Sequence, residues 1–224
     1  MASARSLALA LPLVLASAAL PPTAVSAAPA SNPLARIITR QGSSYLCFHR
    51  TYDAAHLRRH RGQLTTSVQL SLDAGKDKTA QTVWLKLQLH QKGRSSPANI
   101  AASCEWSAKA NENTSGLRLI AAYPRDDGFA CIAMYDNQAA VEAGTLMFDL
   151  ASDGRTVTVY FHEEGIDPWG TLPEHTVYDK KGASKVVPGG PSLKLGREDR
   201  VFRLTRAEPS ACRALEQAID LSKD

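Results

Sequence analysis

None of the four cysteines forms a C-x-x-C pair, so the usual zinc and thioredoxin-type spacings are absent. There is no G-x-G-x-x-G and no Walker loop to cradle a phosphate. G-x-S-x-G, S-x-x-K and a papain-like cysteine context are missing too, although a triad dispersed along the chain would leave no such local mark. Beyond the N-terminal segment no stretch is uniformly apolar over the ~20 residues of a spanning helix, so no transmembrane anchor is expected. Charge of one sign is scarce in excess. Lys and Arg number 26 against 22 Asp and Glu, a net +4 too mild for a nucleic-acid partner. No internal repeat and no second domain is visible.

What is present begins at the N-terminus. Arg5 precedes an apolar run from Leu7 to Leu20, interrupted by Pro12, and small residues follow. Val25-Ser26-Ala27 fits a small-x-Ala cleavage pattern, with Ser26-Ala27-Ala28 as the near alternative. Residues 1–27 therefore read as a signal peptide, with cleavage at about 27–30 and one β-rich domain over 31–224. No cysteine sits at the cleavage site to carry a lipid. Ala- and Arg-rich usage points to a bacterium, so a periplasmic or secreted soluble protein is expected.

An even cysteine count in an oxidising compartment suggests disulfides among Cys47, Cys104, Cys131 and Cys212. Three pairings are open. Cys104 with Cys131 closes the shortest loop and leaves Cys47 with Cys212, tying the first strand to the last helix.

Most of the apolar signal has period two, the mark of half-buried strands. Val68, Leu70 and Leu72 alternate with polar neighbours, as do Val83, Leu85, Leu87 and Leu89. Leu146, Phe148 and Leu150 follow the same rule, and so do Val157, Val159 and Phe161. Ser152-Asp153-Gly154-Arg155 is hairpin chemistry between two of these runs. Arg125-Asp126-Asp127-Gly128 predicts another hairpin, between Leu117–Tyr123 and Phe129–Tyr135. The pattern specifies an all-β antiparallel sandwich or barrel. Residues 165–196, rich in Gly, Pro and Lys, read as a long loop with a short strand near His175–Tyr178. Pro209 to Leu221 reads as a C-terminal helix with Ala211, Cys212, Leu215, Ala218 and Ile219 on one face and Leu221 off it.

The chemically dense stretch is Thr51–Gln63, TYDAAHLRRHRGQ. Asp53 suits a helix N-cap and Gly62 a stop, which predicts a two-turn helix over 54–61. His56 and His60 then lie one turn apart on a face with Asp53 at its base, a set that Zn²⁺, Fe²⁺ or Mn²⁺ could accept. Leu57 stands where an H-E-x-x-H glutamate would be, and Arg50, Arg58, Arg59 and Arg61 oppose a cation. The same arginines, with His56 and His60, suit a phosphate, sulfate or carboxylate, and protonated histidines would strengthen the grip. A charged connector that keeps a sheet edge soluble is the plainer reading.

Elsewhere, His162-Glu163-Glu164 reads as the start of a loop rather than an acid/base pair. Trp169, near Asp167, Glu174, His175 and Tyr178, could stack on a sugar ring or anchor its loop on the core. Trp84 alternates onto the polar face of its strand and Trp106 could do so too; the pair could form an aromatic binding face or simply pack under the loop or the helix.

The Tyr-Asp-x-x-His-Leu-x-x-His segment after a Cys-bearing strand and Arg-Glu-Asp-Arg-Val-Phe-Arg-Leu at 197–204 resemble uncharacterised exported proteins of proteobacteria. That resemblance implies no activity. In size, export signal and cysteine usage the chain also resembles small periplasmic β proteins that inhibit lysozymes or proteases, a likeness of architecture alone.

The sequence thus leads to a non-catalytic exported β domain that needs no cofactor. It would bind an anionic ligand, an acidic glycan, a lipid headgroup or a periplasmic protein through Arg50, His56, Arg58, Arg59, His60, Arg61 and Trp169. The competing readings are a small metal-dependent or hydrolytic enzyme using Asp53, His56 and His60, and a structural envelope protein.

Overall fold

Side chains on a strand alternate faces, so a run with every second residue apolar must cover one face. This chain does so by closing its sheet on itself. The computed structural model describes residues 32–112, 119–135, 138–139, 143–166, 168, 175–178, 184–187 and 193–221. Its strands are β1 (Tyr45–Thr51), β2 (Thr65–Asp73), β3 (Thr82–Gln91), β4 (Ala98–Ser107), β5 (Gly128–Tyr135), β6 (Gln138–Ala139), β7 (Gly144–Leu150), β8 (Thr156–Ile166), β9 (His175–Tyr178), β10 (Ser184–Val187) and β11 (Val201–Ala207). Eight of them form a closed antiparallel barrel in the order β1-β2-β3-β4-β5-β7-β8-β11, with β11 returning to β1. Each barrel strand pairs with the next in sequence, apart from the short β6 on the end of β5 and the separate β9–β10 hairpin. Closure removes the exposed edges that an open sheet would present.

The alternating residues fill the lumen. Phe48, Leu70, Leu85, Phe129, Phe148, Phe161, Phe202 and Leu204 are all buried there, each worth about 1.5–3 kcal/mol of apolar burial. The Phe129 and Phe148 rings stack at 4.5 Å and Phe161 meets Phe202 edge-on at 5.8 Å. Cys104 and Cys131 face each other across β4 and β5 and are disulfide-bonded. That leaves the predicted second bridge, Cys47 to Cys212, which is also formed.

One end of the barrel is plugged by a helix that strand periodicity does not reveal, α1 (Pro33–Gln41). The Asn32 side chain accepts hydrogen bonds from the Leu34 and Ala35 N–H groups, Pro33 opens the first turn, and Gly42 ends the helix at φ +69°. The Asn32 amide also donates to the Thr79 and Ala80 carbonyls, fixing the helix to the β2–β3 turn. Leu34, Ile37 and Ile38 point into the lumen, and Ile37 packs against Gly154 in the β7–β8 turn. A β-carbon on Gly154 would press on Ile37 at a backbone φ of +72°, so this turn is built for glycine.

The tail lies outside the wall. A 3₁₀ turn (Pro209–Cys212) runs into the C-terminal helix, Arg213–Ala218, so the expected 209–221 helix is shorter and begins in tighter form. Its buried stripe is Cys212, Leu215 and Ile219; Ala211 and Ala218 are exposed, and Leu221 joins the packing instead of standing off it. Leu215 and Ile219 cover Ala101 and Met134 on the barrel exterior. Glu216 bonds Ser71 and Lys86, each at 2.5 Å.

Three expectations need correction. Residues 119–123 form no strand, and β5 takes β4 as its hairpin partner. The reason is Asn111, whose buried side chain knits the intervening loop through the Ile120 N–H and the Ile120, Tyr123 and Arg125 carbonyls. Tyr123 is thereby laid on the outer wall against Tyr160, and a β-carbon on Gly128 would collide with its hydroxyl. Trp106 is not on the polar face: it packs against the core, edge-on to Phe129 at 5.2 Å, while Trp84 does stay exposed. Residues 162–164 continue β8 rather than begin a loop. The 165–196 region does hold the strand at His175–Tyr178, which pairs with β10.

Candidate functional site

The end opposite α1 carries the dense stretch. Asp53 caps a short helix, α2 (Ala54–Arg59), by accepting a 2.6 Å hydrogen bond from the His56 N–H. That bond holds the Asp53 carboxyl below the usual carboxylate range. The helix is two residues shorter than the predicted 54–61, with His60 already at its C-cap. The C-terminal helix Arg213–Ala218 is α3.

At one-turn spacing, the His56 and His60 rings stack at 4.3 Å. The stack continues to Tyr52 at 4.8 Å from His56, and the Arg50 guanidinium lies over Tyr52 at 5.1 Å. The result is a column of Arg50, Tyr52, His56 and His60. Burial raises the Tyr52 phenol pKa, so it stays a neutral hydroxyl beside Arg50.

Gln63 orders the column from beneath. Its amide nitrogen donates to the Thr65 carbonyl at 2.8 Å, which leaves Oε1 to face His56 Nε2 at 3.0 Å. His56 Nε2 therefore carries the proton of that bond. His60 Nδ1 lies 3.4 Å from Glu198 Oε2, an ionic contact when the ring is charged.

Underneath is a buried carboxylate. Asp199 accepts hydrogen bonds from the Leu64 N–H at 2.8 Å, the Thr65 N–H at 3.1 and 3.2 Å, and the Gly196 N–H at 3.0 Å. These charge-assisted bonds clamp the β1–β2 connection to the turn before β11. A β-carbon on Gly196 would collide with the Gly62 carbonyl, so the clamp also needs glycine there.

The barrel wall is open beside this column. β1 pairs with β11 only from Cys47–Ala207 to His49–Thr205. Yet β1 stays paired with β2 as far as Thr51–Ser67, and β11 with β8 as far as Val201–Tyr160. The strands part, and the gap is crossed by the Arg50 guanidinium, which donates to the Arg203 carbonyl at 3.4 Å. The resulting notch, of about 240 Å³, is lined by Arg50, Tyr52, His56, His60, Gln63, Glu198, Val201 and Arg203.

Of the residues expected at a site, the structure brings together Arg50, His56 and His60. Arg58, Arg59 and Arg61 are exposed on the surrounding surface and do not line the notch. Trp169 lies outside the described residues. Asp53 is occupied as a cap and also lies off the notch, and among the described residues no three His, Cys, Asp or Glu side chains are placed to hold a metal ion. Tyr52, Gln63, Glu198, Val201 and Arg203 were not anticipated. Val201 and Arg203 are the outward residues of an alternating run, Val-Phe-Arg-Leu, which was the available signal. Nothing local marks Gln63 or Glu198, because their positions depend on the clamp at Asp199.

No protein-family model, curated protein or solved structure matches the chain.

Proposed function

We propose that this is an exported, non-catalytic binding protein that offers the notch between β1 and β11 to an anionic group of a ligand or partner. The observation that carries the reading is the notch lining itself, in which Arg50, whose guanidinium reaches the Arg203 carbonyl across two parted strands, stands with Arg203 and the stacked His56 and His60, and Glu198 is the single acid. Guanidinium forks suit carboxylate, phosphate and sulfate geometry, and stacking on Tyr52 holds the Arg50 plane in place. The exposed Arg58, Arg59, Arg61, Lys194 and Arg197 surround the notch in the same two loops and add a field that draws anions toward it.

Export is supported by two formed disulfides and by the basic, apolar and small-residue order of residues 1–27. No described helix is long and apolar enough to cross a membrane.

Calorimetric titration with polyglutamate, oligogalacturonate and phosphatidylglycerol vesicles at low salt tests the reading. At least one of these anions should bind, and Arg50→Gln with Arg203→Gln should weaken it about tenfold or more. Absence of binding to all three, or binding indifferent to both substitutions, overturns it.

A further inference from the structure

The notch has a feature that charge alone does not require, a stretch of strand edge with no pairing partner among the described residues. Along an antiparallel strand, the N–H and C=O of alternate residues point to the same neighbour. The Tyr52 N–H bonds the Thr66 carbonyl on the β2 side, so the Thr51 groups face the gap. The Arg200 carbonyl accepts from the Phe161 N–H on the β8 side, so the Val201 and Arg203 groups also face the gap. The Arg203 carbonyl is met by Arg50. No described strand pairs with the rest of this edge.

Resting on the anion-binding reading above, we infer that the notch receives an acidic polypeptide segment in extended conformation, which adds to the β11 edge at Val201 and Arg203. Its carboxylates would lie against Arg50, Arg203 and the His56–His60 pair. Backbone hydrogen bonds to an edge strand give such a segment affinity, and alternate side chains give it specificity. The polypeptide chain is the ligand that repeats N–H and C=O at strand spacing; a glycan or a lipid headgroup does not. Charge complementarity agrees, because the exposed arginines Arg58, Arg59, Arg61, Arg197 and Arg203 stand on the two flanking loops and on β11 itself. Two exposed large hydrophobics, Leu64 and Val201, lie at this end and provide apolar contact for the residues between the carboxylates. The recess is small enough that one strand segment fills it, whereas a flat lipid surface would meet only the rim.

The probe is a short peptide of alternating Glu and Thr, titrated into the full protein at low salt. A second version carries N-methyl groups on alternate backbone nitrogens, which removes ladder bonds and keeps every charge. Expected is binding of the first peptide and a loss of roughly tenfold or more for the second, as the loss of one or two backbone bonds implies. Val201→Pro removes the N–H that faces the notch and keeps the β8 side intact, so it should weaken the unmethylated peptide similarly. Should that variant fail to fold, the N-methylated peptide decides alone. Equal binding of the two peptides overturns strand addition while leaving the anion reading in place. Tighter binding of oligogalacturonate or phosphatidylglycerol vesicles than of the peptide does the same. Failure of every anion to bind removes both.

Discussion

The imidazole rings of His56 and His60 stack face to face at 4.3 Å, with Glu198 3.4 Å from the second ring. Around them stand Arg50, Arg59 and Arg203 on one side of the charge balance and Asp53, Glu198 and buried Asp199 on the other. The stack runs on through Tyr52 to Arg50, so it orders the face that meets the anion. The double variant His56→Ala and His60→Ala should weaken polyglutamate binding several-fold in calorimetric titration, and unchanged binding would show that the column does not order the notch.

The Asp199 clamp should matter more to folding than any surface charge in the region. Asp199→Asn puts an amide N–H₂ among three backbone donors and loses charge-assisted bonds, at a cost on the order of 3 kcal/mol. Urea denaturation would measure it. A loss below about 0.5 kcal/mol would mean that the turn before β11 is held by something else.

The two disulfides should differ in weight. Cys47–Cys212 spans 165 residues and Cys104–Cys131 spans 27. Chain entropy gives about 5 and 3.5 kcal/mol respectively as upper values. The paired variant Cys47→Ser and Cys212→Ser should also release α3 from the wall, visible as rapid amide exchange at Leu215 and Ile219, whose cover of Ala101 and Met134 the bridge secures.

Acid should weaken the outer loop. Hydrogen bonds from Arg125 hold the Asp127 carboxyl below the usual range. A depressed folded pKa means that this stabilisation is present above the unfolded value of ~3.9 and is lost as pH falls through the lower folded value. Asp127→Asn should cost at most about 1 kcal/mol at pH 7, because Arg125 is 42% exposed and solvent screens the pair. Thermal unfolding of the variant and the parent should converge as pH falls through the lowered folded value.

Strand content was legible because burial on one side imposes period two, and the runs at Val68–Leu72, Val83–Leu89, Leu146–Leu150 and Val157–Phe161 all became barrel wall. Closure was not legible, since sandwich and barrel share that period and differ only in whether β11 returns to β1. Helix α1 escaped because its signals are caps, Asn32-Pro33 and Gly42, on a stretch too short to show a stripe. The hairpin at 125–128 was misassigned because turn chemistry there serves a loop held by Asn111, a long-range arrangement that no local pattern carries. The site divided the same way. Asp53 as cap and the His56–His60 face follow from helical spacing, while the partnership of Arg50 with Arg203 needs the two strands brought side by side.

The most direct test of the notch as the binding surface is an amide and side-chain chemical-shift map of the ¹⁵N-labelled protein titrated with polyglutamate. The account predicts that the largest shifts cluster at Arg50, Tyr52, His56, His60, Val201 and Arg203. Shifts confined to the exposed Arg58, Arg59 and Arg61, or to the separate outer groove along Ser103, Glu105, Ile132 and Thr145, would contradict it.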